Sequence, residues 1–235
     1  MNDYTELKTF RYERKFVADN YSRLAAEAIV KQNNAFFIPA FYPRIVNNIY
    51  LDTSGLDCYF DNLFGNGNRW KTRLRWYGNK FGMISSPILE FKIKKGLVGT
   101  KRSFPISSFN FDEKVFNSDF LKKLFTRSDL PKDVLEKLLL LQPVLMNSYL
   151  RSYFTSIDKK FRITIDSEME YYNLGPTWNQ MQHSFKEQLK TVVELKYNYE
   201  FDIEAEKITN QFPFRMNKNS KFVSGMSYFR PEIAE

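Results

Sequence analysis

The residues of this chain that could do chemistry are arginines, lysines and a few carboxylates set at alternate positions. In a β-strand, residues i, i+2 and i+4 share one face. Arg69, Lys71, Arg73 and Arg75 follow that spacing, with Trp70, Thr72, Leu74 and Trp76 between them. Glu90, Lys92 and Lys94 alternate with Leu89, Phe91 and Ile93. Arg11, Glu13 and Lys15 share a parity, as do Arg162, Thr164 and Asp166, and Glu194 and Lys196; Arg151 stands between Tyr149 and Tyr153. Converging Arg and Lys suit the oxygens of an extended polyanion, and one or two carboxylates suit a divalent metal held against them. For any one strand the bland alternative is a half-solvated sheet. Taken together the strands argue otherwise. A solvated face mixes signs, because like charges opposite each other destabilise a sheet. Cations spaced by about 7 Å on one face repel by roughly 2 kcal/mol per pair at an effective dielectric near 20.

The face holds twelve cations: Arg11, Lys15, Arg69, Lys71, Arg73, Arg75, Lys92, Lys94, Lys101, Arg151, Arg162 and Lys196. It holds four anions: Glu13, Glu90, Asp166 and Glu194. The surplus equals the net charge of the whole chain, +8, so the remainder is neutral.

The elements that must position these residues can be read from pattern and composition. The chain has 235 residues, 43% apolar and 17% aromatic, which excludes a disordered polymer and allows a substantial core. One cysteine, Cys58, and one histidine, His183, exclude a disulfide scaffold, a multi-cysteine zinc site and a histidine metal centre. There is no apolar run long enough to span a membrane and no apolar core of a signal peptide near the N-terminus, so a cytoplasmic protein is expected. No linker divides the chain, and one domain over residues 1–235 is expected. Strands are expected at Phe10–Val17, Arg44–Asp52, Arg69–Tyr77, Ile88–Leu97, Lys101–Ile106, Met146–Ser156, Phe161–Glu168 and Thr191–Tyr199. Helices are expected at Tyr21–Gln32 behind an Asp19 or Asn20 cap, at Asp112–Thr126, at Pro131–Leu141, at Ile203–Gln211 and from Phe222. The pattern is α+β. A closed barrel lined with Arg and Lys, its apolar outer face covered by helices, is the geometry that uses such strands.

The motifs, in order, are Glu13-Arg-Lys15, Tyr50-Leu-Asp52-Thr53, Lys71-Thr-Arg73-Leu-Arg75, Glu90-Phe-Lys92, Lys101-Arg102, Arg151, Arg162, Glu194-Leu-Lys196 and Asn219-Ser220-Lys221-Phe222. This series resembles the VTC-type polyphosphate polymerase domain of the triphosphate tunnel metalloenzyme superfamily, over roughly residues 10 to 229. The resemblance implies a closed antiparallel eight-stranded β-barrel, the triphosphate tunnel, with flanking helices. It implies ATP-dependent synthesis of inorganic polyphosphate with Mn2+ or Mg2+. Lys15, Arg73, Arg75, Lys92, Arg151 and Arg162 correspond to phosphate clamps, with Lys196 beside them on the same face. Lys101, Lys71, Ser220 and Lys221 correspond to substrate contacts. Glu194 corresponds to the metal-binding carboxylate, with Glu13 as a second. The related CYTH group carries Glu-x-Glu-x-Lys on its first strand; here Arg11 replaces the first carboxylate, which favours the polymerase-like branch over a two-metal hydrolase.

ATP and polyphosphate are the expected partners, and nucleic acid is not, because the cations alternate along strands instead of clustering on a recognition helix. Family members in eukaryotes are tethered at membranes with other subunits, so membrane association here would need a separate membrane-protein partner. A tripolyphosphatase or nucleoside triphosphatase, and a polyphosphate-binding protein without turnover, are the competing functions. Glu90 is read as pairing with neighbouring cations, Asp52 as a strand-end cap, Cys58 as a packed thiol, His183 as a surface residue, and Tyr50, Tyr149 and Tyr153 as structural.

Overall fold

A computed structural model describes residues 11–96, 98–112, 116–175, 180–188 and 190–231. His183 and the side chain of Arg11 lie outside the described side chains. The chain opens with β1 (Arg11–Asp19), α1 (Arg23–Lys31), β2 (Ile38–Asp52) and α2 (Asp57–Leu63). The strands β3 (Asn68–Tyr77), β4 (Gly82–Ile84), β5 (Ile88–Lys95), β6 (Val98–Pro105) and β7 (Phe109–Phe111) follow. Next come α3 (Ser118–Thr126), α4 (Lys132–Leu139), β8 (Gln142–Thr155), β9 (Arg162–Asn173), β10 (Gln180–Lys186) and β11 (Lys190–Asn198). The last elements are α5 (Asp202–Thr209), β12 (Arg215–Met216) and α6 (Lys221–Phe229).

The expected closed eight-stranded barrel is not what forms. Ten strands join one sheet, ordered β12-β1-β11-β9-β8-β2-β3-β5-β6, with β10 pairing β9, and β4 and β7 make a separate ribbon. Among the described residues no pairing joins β12 to β6, so the sheet is open. The two end strands explain this. Closure needs long edges with matching N–H and C=O groups. β12 offers two residues, just after Pro213, whereas β6 ends at Pro105 and carries Lys101 and Arg102.

The described residues pack as two compact units, and β2, β8 and β9 contribute to both. The first unit comprises Met1–Pro43, Arg151–Ser167 and Leu189–Asn219. Here β1 pairs antiparallel with β11 and β12, and β11 pairs with β9. Phe16, Ile163, Ile165, Val193 and Leu195 bury one face together with Ala26 and Val30 of α1 and Ala205 and Ile208 of α5. Helix α1 starts at Ser22, whose hydroxyl accepts from Ala25 N at 3.2 Å. The expected caps, Asp19 and Asn20, fall short of it, and Asn20 turns the chain with φ +65°.

The second unit comprises Arg44–Leu150, Glu168–Gln188 and Ser220–Glu235. Here β2 pairs with β3, β3 with β5 and β5 with β6, all antiparallel. Leu74 and Trp76 of β3 and Leu89 and Phe91 of β5 form the buried face; Leu121, Leu124 and Phe125 of α3 and Val134 and Leu138 of α4 cover it. Each such side chain contributes about 1.5–3 kcal/mol when fully buried. Helix α3 begins later than expected, at Ser118, where Asn117 is extended and its Oδ1 accepts from Phe120 N at 2.9 Å as the cap; Phe109–Phe111 pairs as a strand with Gly82–Ile84. Asp52 does cap: its carboxylate accepts from Thr53 N, Cys58 N and Tyr59 N at 2.8–2.9 Å, which fixes the start of α2, an element the sequence pattern does not announce.

Helix α6 docks through Phe222, stacked on Tyr50 with ring centroids 4.8 Å apart, and through Gly225. A Cβ at 225 would meet Tyr171 Cδ1 at 2.6 Å and Leu145 Cδ2 at 2.7 Å. Alanine in place of glycine ordinarily stabilises a helix by about 1 kcal/mol. Here overpacking should win, and Gly225→Ala should lower unfolding stability by about 1–3 kcal/mol in urea denaturation. A stabilised variant would show that α6 does not pack this closely.

Candidate functional site

In the second unit, β3, β5 and β6 bring like charges directly opposite one another. Lys71 faces Lys92 across β3 and β5, and Lys92 faces Lys101 across β5 and β6. One step along, Arg69 faces Lys94. Three lysines thus form a row across three adjacent strands, on the face opposite Leu89, Phe91 and Leu74.

Glu90 is the counter-charge beside that row. Its Oε2 accepts from Arg73 Nε at 2.7 Å and lies 2.7 Å from Arg73 Nη2 and 3.5 Å from Arg75 Nη1; its Oε1 accepts from Lys101 Nζ at 3.0 Å. Burial alone would raise the Glu90 carboxyl. The charges of Arg73 and Arg75 and the bond from Lys101 outweigh it and bring the pKa from 4.5 down to about 2. Arg73 is held charged in return, since the acidic groups around it outweigh the burial that opposes its charge. Lys71 Nζ donates to Ser220 Oγ at 2.8 Å, and that hydroxyl also accepts from Val223 N to cap α6. Lys221 places its ammonium 4.8 Å from the Tyr149 ring centroid.

In the first unit, the register of β1 and β11 sets opposite signs against each other instead. Glu13 lies opposite Lys196 and Lys15 opposite Glu194 across β1 and β11, and Lys196 faces Arg162 across β11 and β9. Lys15 Nζ sits 2.8 Å from Glu13 Oε1 and 3.8 Å from Glu194 Oε2, and donates to Asn219 O at 3.3 Å. Lys196 pairs closely with Glu194. Arg151 makes a fork to Asp166, Nε to Oδ1 at 2.6 Å and Nη2 to Oδ2 at 2.7 Å. Burial opposes the Glu194 charge, but Lys196, Lys15 and Arg151 hold the carboxyl well below the usual range. Burial pulls Lys15 down, and Glu194 and Glu13 more than restore it, to about 12.

The structure therefore gathers Lys15, Glu13, Glu194 and Lys196 in the first unit, with Arg151 in electrostatic reach of Glu194 and Arg162 exposed beside Lys196. It gathers Arg73, Arg75 and Lys101 on Glu90 in the second, with Lys92 between Lys71 and Lys101 and with Ser220 bonded to Lys71. Arg69 leaves the group, donating to Gly65 O and Asn66 O at its own turn. The sequence pattern passes over Asn48, which accepts from Arg75 Nε at 2.8 Å; its shared parity with Tyr50 and Asp52 is the signal that places it on this face.

Among the described residues no three acidic, histidine or cysteine side chains converge as a metal cage. Mg2+ and Mn2+ sites, however, commonly take one or two carboxylates and complete their shell with water and substrate phosphate. An ionised Glu194 with Glu13 near the same lysine fits that donor set. Cys58 is buried, and burial pushes its thiol well above the ordinary range, away from nucleophile chemistry.

Residues 10–230 match the family described as VTC domain. A search of curated proteins found no match. Among solved structures, the chain is similar to HpAC1 from Hippeastrum, described as having a dominant triphosphatase activity, at TM-score 0.52 and 14% identity, covering 92% of this chain and 96% of that one. It is also similar to the PH1819 protein from Pyrococcus horikoshii OT3, at TM-score 0.51 and 14% identity, covering 94% and 99% of the two chains. A proposed adenylate cyclase from Vibrio parahaemolyticus aligns at TM-score 0.50 and 13% identity over 91% and 96%. At these identities the likeness is one of fold.

The Glu90 cluster makes a pH-dependent contribution to stability. The folded pKa lies below the ordinary 4.5, so the stabilisation is complete above pH 4.5 and is lost as pH falls through about 2. Wild type should exceed Glu90→Gln by about 3 kcal/mol in urea unfolding at pH 7, with the gap narrowing at pH 3. A gap independent of pH would mean that the arginines do not hold Glu90.

Proposed function

The chain belongs to the VTC domain family, and from that premise we propose that it is a phosphotransferase that uses ATP to extend inorganic polyphosphate. Membership supports an enzyme of triphosphate or polyphosphate chemistry. The observation that carries the finer reading is the row of Lys71, Lys92 and Lys101 across three strands. Opposed like charges destabilise a sheet, and a linear polyanion lying along the row would relieve that cost.

In the second unit, Lys71, Lys92 and Lys101 bind the chain of phosphates, and Arg73 and Arg75 offer guanidinium N–H groups to its oxygens. Ser220 and Lys221 add a hydroxyl and an ammonium at the start of α6. In the first unit, Glu194 and Glu13 would hold a divalent cation, Mn2+ or Mg2+, which would supply neutralising charge to phosphate oxygens. Lys15 and Lys196 keep Glu194 ionised and oriented. Arg151, fixed by its fork to Asp166, and Arg162 add positive charge on that face. In the transfer, a terminal oxygen of the growing chain forms a bond to the γ-phosphorus of ATP. The bond from that phosphorus to the β–γ bridging oxygen breaks, and ADP leaves with the electron pair. The attacking oxygen is already ionised at neutral pH, so the site needs charge stabilisation and positioning more than a strong base.

Incubation with ATP and Mn2+ should yield polyphosphate that runs as long chains on a gel. Release of free phosphate alone would identify a triphosphatase, and polyphosphate binding without nucleotide consumption would identify a binder; either result contradicts polymerase activity. Lys92→Ala and Glu194→Gln should each reduce synthesis by about a hundredfold while circular dichroism shows the fold intact. Full activity in either variant would remove that residue from the site.

A further inference from the structure

Two buried asparagines stand behind Arg75. Asn48 is fully buried and lies directly opposite Arg75 in the register of β2 and β3. Arg75 Nε donates to Asn48 Oδ1 at 2.8 Å, and Asn48 Nδ2 donates to Asn147 Oδ1 at 2.8 Å. Arg75 Nη2 donates to Tyr149 OH at 3.3 Å. Asn147 is 1% exposed, and its Nδ2 has no hydrogen-bond partner among the described residues.

Stability does not account for this pair. A buried donor left without a partner is destabilising, and apolar side chains of similar shape would avoid that cost. What the pair fixes is an orientation. An asparagine amide has one accepting end and one donating end. Because Asn147 presents Oδ1, Asn48 turns Nδ2 toward it and Oδ1 toward Arg75. The Nε bond then sets the plane of the guanidinium, and the bond to Tyr149 sets its rotation within that plane. We propose that Asn48 and Asn147 are positioning residues that lock the Arg75 guanidinium plane, so that the fork offers phosphate oxygens one fixed geometry. This rests on the reading of Arg75 as a phosphate ligand; the locking itself does not.

Two measurements separate the proposal from that reading. In the free protein, hydrogen exchange at Arg75 Nε, followed by nitrogen-15 NMR, should be slow, and Asn147→Leu should speed it by about tenfold. Unchanged exchange would overturn the proposal whatever the protein binds. The second is a double-mutant cycle read by calorimetric titration with inorganic polyphosphate of defined length. Asn147→Leu should weaken binding by about tenfold. In an Arg75→Lys background, where no Nε remains to be held, the same substitution should change affinity less than about twofold. Equal losses in both backgrounds would mean that Asn147 acts on something other than Arg75. Asn48→Leu serves in the same cycle. If both leucine variants failed to fold, the amides would be structural and the proposal would fall. Absence of polyphosphate binding by the parent protein would defeat the functional reading alone, and the exchange measurement would still decide whether the amides lock Arg75.

Discussion

Cations packed side by side on neighbouring strands need counter-charge, and two carboxylates supply most of it. Glu90 receives Arg73, Arg75 and Lys101; Glu194 receives Lys15 and Lys196. Both carboxylates are nearly buried and both are held ionised against the pull of burial. Removing one partner of such a cluster leaves uncompensated buried charge, which is why these groups cost far more to disrupt than surface pairs. The two clusters differ in how they balance. Glu13 and Lys196, and Lys15 and Glu194, oppose each other with alternating sign. The lysine row of the second unit has no such alternation in its register. That imbalance is the strongest pointer to a polyanionic ligand.

The apolar halves of the same strands make the arrangement affordable. Leu74, Trp76, Leu89 and Phe91 face Leu121, Leu124, Val134 and Leu138. Because side-chain direction alternates along a strand, every residue buried on that face fixes its neighbours on the other. The cations do not choose their positions independently. A one-residue slip of β5 against β3 would turn Lys92 into the core and Phe91 into the charged face. Helix α6 extends the same logic: Phe222 on Tyr50 and Gly225 against Tyr171 and Leu145 seat the helix, and Ser220 at its start meets Lys71.

Much of this was legible in the alternation of residues. Arg73 and Arg75 against Leu74 and Trp76, and Glu194 against Val193 and Leu195, are placed as their spacing demands. The pairing of Glu90 with cations was legible too, since no other acidic residue flanks it on that face. Barrel closure was not, because it depends on the ends of the sheet: two residues of β12 and a proline-terminated, basic β6. Helix α2 was hidden because its start is fixed by Asp52 and not by a residue adjoining it. Arg69 fits the periodicity yet turns to the carbonyls of Gly65 and Asn66, since the loop before β3 offers it nearer acceptors. Asn48 shares the parity of Tyr50 and Asp52, and Asn147 that of Tyr149 and Arg151, but parity alone does not reveal that the two amides bond to each other, and Asn48 to Arg75, across three strands.

In the proposed function, the charged strand faces hold linear phosphate. A crystal structure of the protein soaked with inorganic tripolyphosphate and Mn2+ tests it most directly. Phosphate density is expected in contact with the ammonium groups of Lys71, Lys92 and Lys101. Tripolyphosphate bound elsewhere, with that row unoccupied, would contradict it.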